Sequence, residues 1–144
     1  YGVKTNLFSV TSWVELAREG ARLNKEALQH GTEPEKPFVT SQLENVDGPY
    51  VAVSDFVSDL HEQIRPYVPG TYITLGTDGF GFADTRAAAR RYFNTDAESV
   101  VVAVLEGLAR EGKVERSVVE KAAKDLKLDD PTATVDTTEA PGIE

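Results

Sequence analysis

The chain has 144 residues, 27% of them charged, and a formal net charge of -9, which is long enough for one domain with a real core. The acidic balance argues against a nucleic-acid binder, which needs a basic patch, and against a surface docked on anionic lipid. There is no cysteine, so disulfide and thiolate chemistry are excluded, and the composition fits a reducing, cytoplasmic compartment.

In chain order, "TNLFSV" (Thr5 to Val10) reads as a short buried strand. A helix follows over "TSWVELAREGARLNKEALQH". Ser12 and Glu15 stand at capping-box spacing, and Trp13, Leu16 and Ala17 form an inward stripe that Gly20 interrupts. "GTEPEKP" is a loop, and "FVTSQLENV" has the makings of a short helix over Phe38, Gln42 and Val46. "YVAV" (Tyr50 to Val53) is continuously apolar, as in a parallel strand buried on both faces. Phe56, Leu60 and Ile64 recur every fourth residue, which predicts a helix ended by Pro66, with Pro69-Gly70 as a turn.

"TYITLG" is the next strand. It runs into the glycine loop "GTDGFG" and then into a helix, "DTRAAARRYF", with Ala88, Ala89, Tyr92 and Phe93 as its packing side. Thr95 and Glu98 give a second capping-box spacing. It opens the apolar helix "AESVVVAVLEGLAREG", which is expected to be deeply buried in its first half and stopped by Gly112. Ser117 and Glu120 give a third, before "VVEKAAKDLKL". Residues 129–144 read as an acidic, poorly ordered tail without lysine or arginine. No apolar run reaches membrane-spanning length and no secretory leader pattern is present. The sequence also lacks methionine, including an initiator, which points to a fragment or a processed chain.

Strand-helix alternation with right-handed crossovers predicts an α/β fold, a three-layer α/β/α arrangement on a mostly parallel sheet. Three strands are thin for that fold, so a strand and helix are expected to precede Tyr1.

The loop "GTDGFG" raises the question of phosphate binding. Gly76, Gly79 and Gly81 match neither the dinucleotide fingerprint nor the lysine-bearing P-loop, and Asp78 and Asp84 would repel an anion. The competing reading is geometric: Gly79 and Gly81 allow positive φ in a tight turn, and Asp84 or Thr85 caps the next helix. Asp78 could act as a general base at the carboxyl end of a strand, or simply cap a turn. His30 suits a helix C-terminus. His61 is expected at the edge of a buried face, and the two histidines have no metal-ligand spacing. Arg86 and Arg90 share a helix face, which suits either an anion site or a salt-bridged interface. No serine has nucleophile-elbow glycines. From the residues alone, no reaction is named.

The stretch "RPYVPGTYITLGTDGFGFADTRAAARRYF", together with "YGVKTNLFSVTSWVELAREG", "GPYVAVSDF" and "VVVAVLEGLAREGKVERSVV", resembles the C-terminal domain of the homodimeric bacterial pyruvate dehydrogenase first component. The resemblance covers Tyr1 to about Leu128, and "LGTDGFG" followed by "DTR" is its most specific part; transketolases share a looser form. Ala83 stands where the family pattern has serine, and the acidic end resembles actinobacterial members.

The resemblance implies a transketolase C-terminal-like domain over residues 1–128, missing its first strand and helix and leaving an exposed strand edge and apolar face. It also implies a parent enzyme that uses thiamine diphosphate and magnesium in earlier domains, decarboxylates pyruvate and reductively acetylates a lipoyl group. The implied partners are the middle domain of the same polypeptide, the homodimer mate and the lipoyl acyltransferase component. The family's catalytic and cofactor residues map to no position here, so this segment alone is expected to be inactive. Thr77, Asp78, Gly79, Phe80, Gly81 and Arg86 are expected to form an interface. The alternatives are a transketolase-like enzyme, or a free-standing flavodoxin-like module that binds a small anion.

Overall fold

Two short apolar runs pair side by side at the centre of the molecule. In the computed structural model, which describes residues 1–133, β1 (Tyr50–Val53) and β2 (Tyr72–Leu75) are parallel, with Tyr50 opposite Tyr72 and Val53 opposite Leu75. Parallel strands need a crossover. Here it carries a single helical turn, α3 (Asp59–Glu62), and a 3-10 turn at Arg65–Tyr67 that contains Pro66.

Side chains alternate across the pleat, so the two faces of the sheet meet different helices. Ala52 and Tyr72 join Val39 and Ile64 in a core that also takes Trp13, Leu16 and Ala17 of α1 (Trp13–His30) and Leu43 of α2 (Phe38–Leu43). The other face is covered by α5 (Ala97–Arg110), with α6 (Arg116–Asp125) packed outside it through Leu105, Val119 and Ala122. The result is the expected α/β arrangement of helix, sheet and helix layers. Among the described residues the sheet has two strands.

Several local expectations give way. Residues 5–10 form no strand; they run exposed, with Leu7 95% accessible, because no described strand lies beside them. Gly20 does not interrupt α1. It lies buried against the Tyr67 ring, which leaves no room for a Cβ. Val53 is 40% exposed, so β1 is not covered on both faces along its length. The helix expected through Phe56, Leu60 and Ile64 shrinks to α3, and Phe56 is exposed.

Ser12 does cap α1, accepting from the Glu15 N–H at 3.2 Å, while the Glu15 carboxylate turns to Arg18 instead of reaching back. The second cap shifts by one residue: Asp96, not Thr95, accepts from the Ser99 N–H at 3.0 Å. The third is absent, since α6 begins at Arg116 with no side-chain cap. In α5 burial follows a stripe through Ser99, Ala103, Leu105 and Gly107, with Val101 exposed, instead of filling the first half. Gly112 takes the left-handed conformation at φ 69°, as expected after α5.

On α4 (Arg86–Tyr92), Ala88, Ala89 and Phe93 pack but Tyr92 is exposed, and the buried residue is Arg91, 2% accessible. Its Nε lies 2.8 Å from the Asp96 carboxylate, in an ion pair poorly aligned for a hydrogen bond. Its Nη1 donates to the Leu126 carbonyl at 3.2 Å. This one side chain therefore ties together α4, the start of α5 and the end of α6. Residues 129–133 form a turn in which Asp130 accepts from the Thr132 N–H and hydroxyl. The remainder of the expected tail, 134–144, lies outside the described residues.

Candidate interaction site at the glycine loop

The loop leaves the carboxyl end of β2 and is fastened at its root. The Thr77 N–H donates to the Phe56 carbonyl at 2.8 Å, and the Asp78 N–H to the Gly76 carbonyl at 3.1 Å. The Asp78 carboxylate accepts from the Ser58 N–H at 2.8 Å and from the Ser58 hydroxyl at 2.7 Å. These two hydrogen bonds hold the Asp78 carboxyl below the usual aspartate range. Asp78 is thus a turn-capping residue, with each carboxylate oxygen accepting one hydrogen bond from Ser58. Gly76 is buried where the two segments touch. A Cβ there would lie 2.5 Å from the Ser58 nitrogen and 2.7 Å from the Phe56 oxygen, and both are backbone atoms with no freedom to move aside.

Beyond this clasp the loop opens outward. Gly79 has φ 136° and faces the Phe93 ring, whereas Gly81 has no positive φ and open space around it. The expectation of left-handed geometry therefore holds at Gly79 alone. Phe80 is 98% exposed and Phe82 45% exposed; Phe82 meets Tyr92 edge-on at 4.9 Å between ring centroids. Phe56 and Val57, on the segment clasped by the loop, are also exposed. Asp84 accepts from the Thr85 N–H, and Thr85 caps α4 by accepting from the Ala88 N–H at 3.2 Å. Ala83 is exposed.

Arg86 and Arg90 line one shallow cleft of about 200 Å³ with Asp55, Thr77 and Phe93. Arg90 reaches Asp55 at 3.2 Å, and among the described residues Arg86 has no carboxylate partner. At the root of the loop the amides of Thr77 and Asp78 are donated inside the protein, and the Asp78 carboxylate occupies the turn, where it would repel an anion.

His61 is fully buried rather than at an edge, 5.4 Å from the Trp13 ring. Its Nε2 lies 3.0 Å from the Leu75 carbonyl, which can only accept, so that nitrogen donates; Nδ1 has no partner among the described residues. Among the described residues no serine, carboxylate or second histidine hydrogen-bonds to it, and no three His, Cys, Asp or Glu side chains converge on a point that could hold a metal. A separate groove of about 280 Å³, lined by Pro34, Pro37, Pro66, Pro69 and Tyr67, lies away from these groups. No helix among the described residues is long and apolar enough to cross a membrane.

The glycine spacing marked the loop in the sequence. Ser58, twenty positions upstream, carried no signal that it would be Asp78's partner.

The chain was compared with known proteins. The transketolase-like TK C-terminal domain family matches residues 1–96. The pyruvate dehydrogenase E1 component of Corynebacterium glutamicum is 61% identical over 134 residues, 92% of this chain. That of Mycolicibacterium smegmatis is 59% identical over 134 residues, and that of Mycobacterium tuberculosis is 55% identical over 143 residues, 99% of this chain. The chain spans about 14% of the length of the first two relatives and 15% of the third.

Proposed function

The chain belongs to the transketolase-like C-terminal domain family, and from that premise we propose that it is the C-terminal assembly domain of a cytoplasmic pyruvate dehydrogenase first component. The parent polypeptide decarboxylates pyruvate and reductively acetylates the lipoyl group of an acyltransferase component. Thiamine diphosphate and magnesium sit in the preceding part of that polypeptide, and no residue of this chain takes part in the chemistry. The names of the relatives and their 55 to 61% identity support this parent over a transketolase-like one. The engaged amides of Thr77 and Asp78 weigh against a free-standing anion module.

One observation carries the assembly role. Phe80, 98% exposed, stands on a loop whose root is hydrogen-bonded to the segment at Phe56 and Ser58, and Phe56, Val57, Phe82 and Tyr92 on the flanking segments are exposed as well. Exposed large apolar side chains on and around one fastened loop mark an interaction surface. Thr77 to Gly81 form the ridge, and Arg86 supplies a cation at its side. The surface is read as covered by the middle domain of the same polypeptide and by the mate in a homodimer.

In the intact protein, Phe80→Ser with Arg86→Ala is expected to weaken dimerisation at least about tenfold by sedimentation, about 1.4 kcal/mol, while turnover per dimer is kept. Chymotrypsin should cut after Phe82, 45% exposed on the same loop, in the variant and spare it in the parent. A normal dimer with lost decarboxylation contradicts the reading.

A further inference from the structure

We propose that the Asp47–Gly48 peptide is a site of isoaspartate formation in this protein, and that the clasp of Asp78 onto Ser58 spares the other Asp-Gly step, Asp78–Gly79, from the same modification.

Aspartate precedes glycine at these two places in the sequence. The reaction is intramolecular. The glycine nitrogen attacks the aspartate Cγ, and the bond from Cγ to one carboxyl oxygen breaks. That oxygen leaves as water, carrying the carboxyl proton and the proton of the nitrogen. The succinimide so formed takes water back. Opening at Cγ returns aspartate. Opening at the main-chain carbonyl leaves a backbone that runs through Cγ, longer by one methylene, with a free α-carboxylate. The overall change is an isomerisation that consumes nothing. It needs an unhindered amide, a carboxyl free to swing onto it, and a proton on the leaving oxygen.

The two steps are matched in their amides. Gly48 has φ 127° and Gly79 φ 136°, and neither N–H makes a backbone hydrogen bond among the described residues. With no Cβ on the glycine, both nitrogens are sterically open. Both aspartates are exposed, so access to water does not separate them either.

The carboxyls differ. One Asp78 oxygen accepts from the Ser58 N–H at 2.8 Å and the other from the Ser58 hydroxyl at 2.7 Å. Swinging Cγ onto the Gly79 nitrogen breaks both. The same bonds hold the Asp78 carboxyl below the usual range, which depletes the protonated form that loses water. Asp47 has a single partner, the Lys113 ammonium at 2.6 Å, which Glu111 shares at 3.1 Å. The Asp47 side chain is 94% exposed, and a pair so open to solvent holds its members weakly.

The position gives the modification a structural effect. Asp47 stands in the turn that leads into β1. The Tyr50 hydroxyl lies 2.8 Å from the Leu43 carbonyl and 3.0 Å from that of Val46. Pro49 fills the space beside Gly107 that a Cβ would need. An added methylene between Val46 and Pro49 disturbs both contacts and moves the carboxylate away from Lys113.

Peptide mapping of the intact protein, aged at neutral pH and physiological temperature, tests this. Isoaspartyl peptides keep their mass, shift in retention and resist a protease that cuts before aspartate. Isoaspartate is expected at position 47 at least about tenfold faster than at 78, the factor that one hydrogen bond to a charged group carries. In urea the two rates should converge, since the sequence step is the same. Asp47→Glu keeps the charge and should abolish the signal at 47. Ser58→Ala should raise the rate at 78 toward that at 47, and Ser58→Thr, which keeps the hydroxyl, should not. Equal rates in the folded protein overturn the proposal, as does a position 47 that isomerises in urea but not in the folded state. An unchanged rate at 78 in a folded Ser58→Ala chain overturns the protective role of the clasp.

Discussion

Asp78 and Gly76 carry the glycine loop more than the two glycines that first draw the eye. Asp78 closes the loop onto Ser58, and Gly76 lets the backbones touch. Gly76→Ala in the intact protein is expected to destabilise the domain by about 1–3 kcal/mol, as overpacking does. Gly81→Ala, with open space and no positive φ, should stay within about 0.5 kcal/mol. Equal effects at the two positions in chemical denaturation would remove the geometric account of the loop. Glu62 makes a second residue-scale prediction. Hydrogen bonds from Arg65, then from Thr74, hold its carboxyl down to about 2 from an ordinary 4.5. A depressed folded value means the unfolded chain takes up the proton first. Glu62 therefore contributes its full stability above pH 4.5 and loses it as pH falls toward about 2. In Glu62→Gln the urea midpoint should fall less steeply across that window than in the parent. An identical slope would show that the Arg65 pair adds nothing, as many partly exposed pairs do.

At the scale of elements, Arg91 is the joint of the helical half. Replacing it with alanine leaves Asp96 and Glu98, with side chains only 13% and 20% exposed, without the cation they share. Breaking a buried pair from one side costs about 3 kcal/mol, roughly two orders of magnitude in local exchange rate. The α5 and α6 amides should therefore exchange faster by that factor in Arg91→Ala, with β1 and β2 unchanged; no change in α5 and α6 would assign the joint to apolar packing alone. The same elements show what a sequence can reveal. β1, β2, α1 and α5 were legible because each has its apolar period and clear punctuation. The helix expected at Phe56 was not legible as a loop, because the groups that defeat it come from far away: Thr77 takes the Phe56 carbonyl, and Asp78 takes the Ser58 N–H. The cap at Asp96 was misplaced by one residue because Thr95 and Glu98 fit the motif equally well locally. In the fold, Glu98 is drawn to buried Arg91 instead. Residues 5–10 kept their strand pattern but lack a neighbour, and pattern alone cannot supply one.

For the whole molecule, the layers are those of an α/β domain, and several of its chemistry-bearing residues are engaged within its own structure. His61, Asp78, Arg90, Arg91 and Glu62 each face a partner within the chain. Among the exposed side chains are large apolar ones at the loop, Phe80 and Phe82, and Val53 on β1. The candidate site was half legible: glycine spacing located the loop, and the resemblance to a larger enzyme suggested an interface. The orientation of Phe80 and the occupancy of the loop amides needed the fold. The central claim is that the loop supports assembly while the reacting cofactor sits elsewhere. The most direct measurement is a structure of the intact polypeptide with thiamine diphosphate bound. The account predicts Phe80 and Arg86 covered by protein, with the diphosphate remote from Gly79. A diphosphate seated on the Gly79 and Gly81 amides, with Phe80 open to solvent, would contradict it.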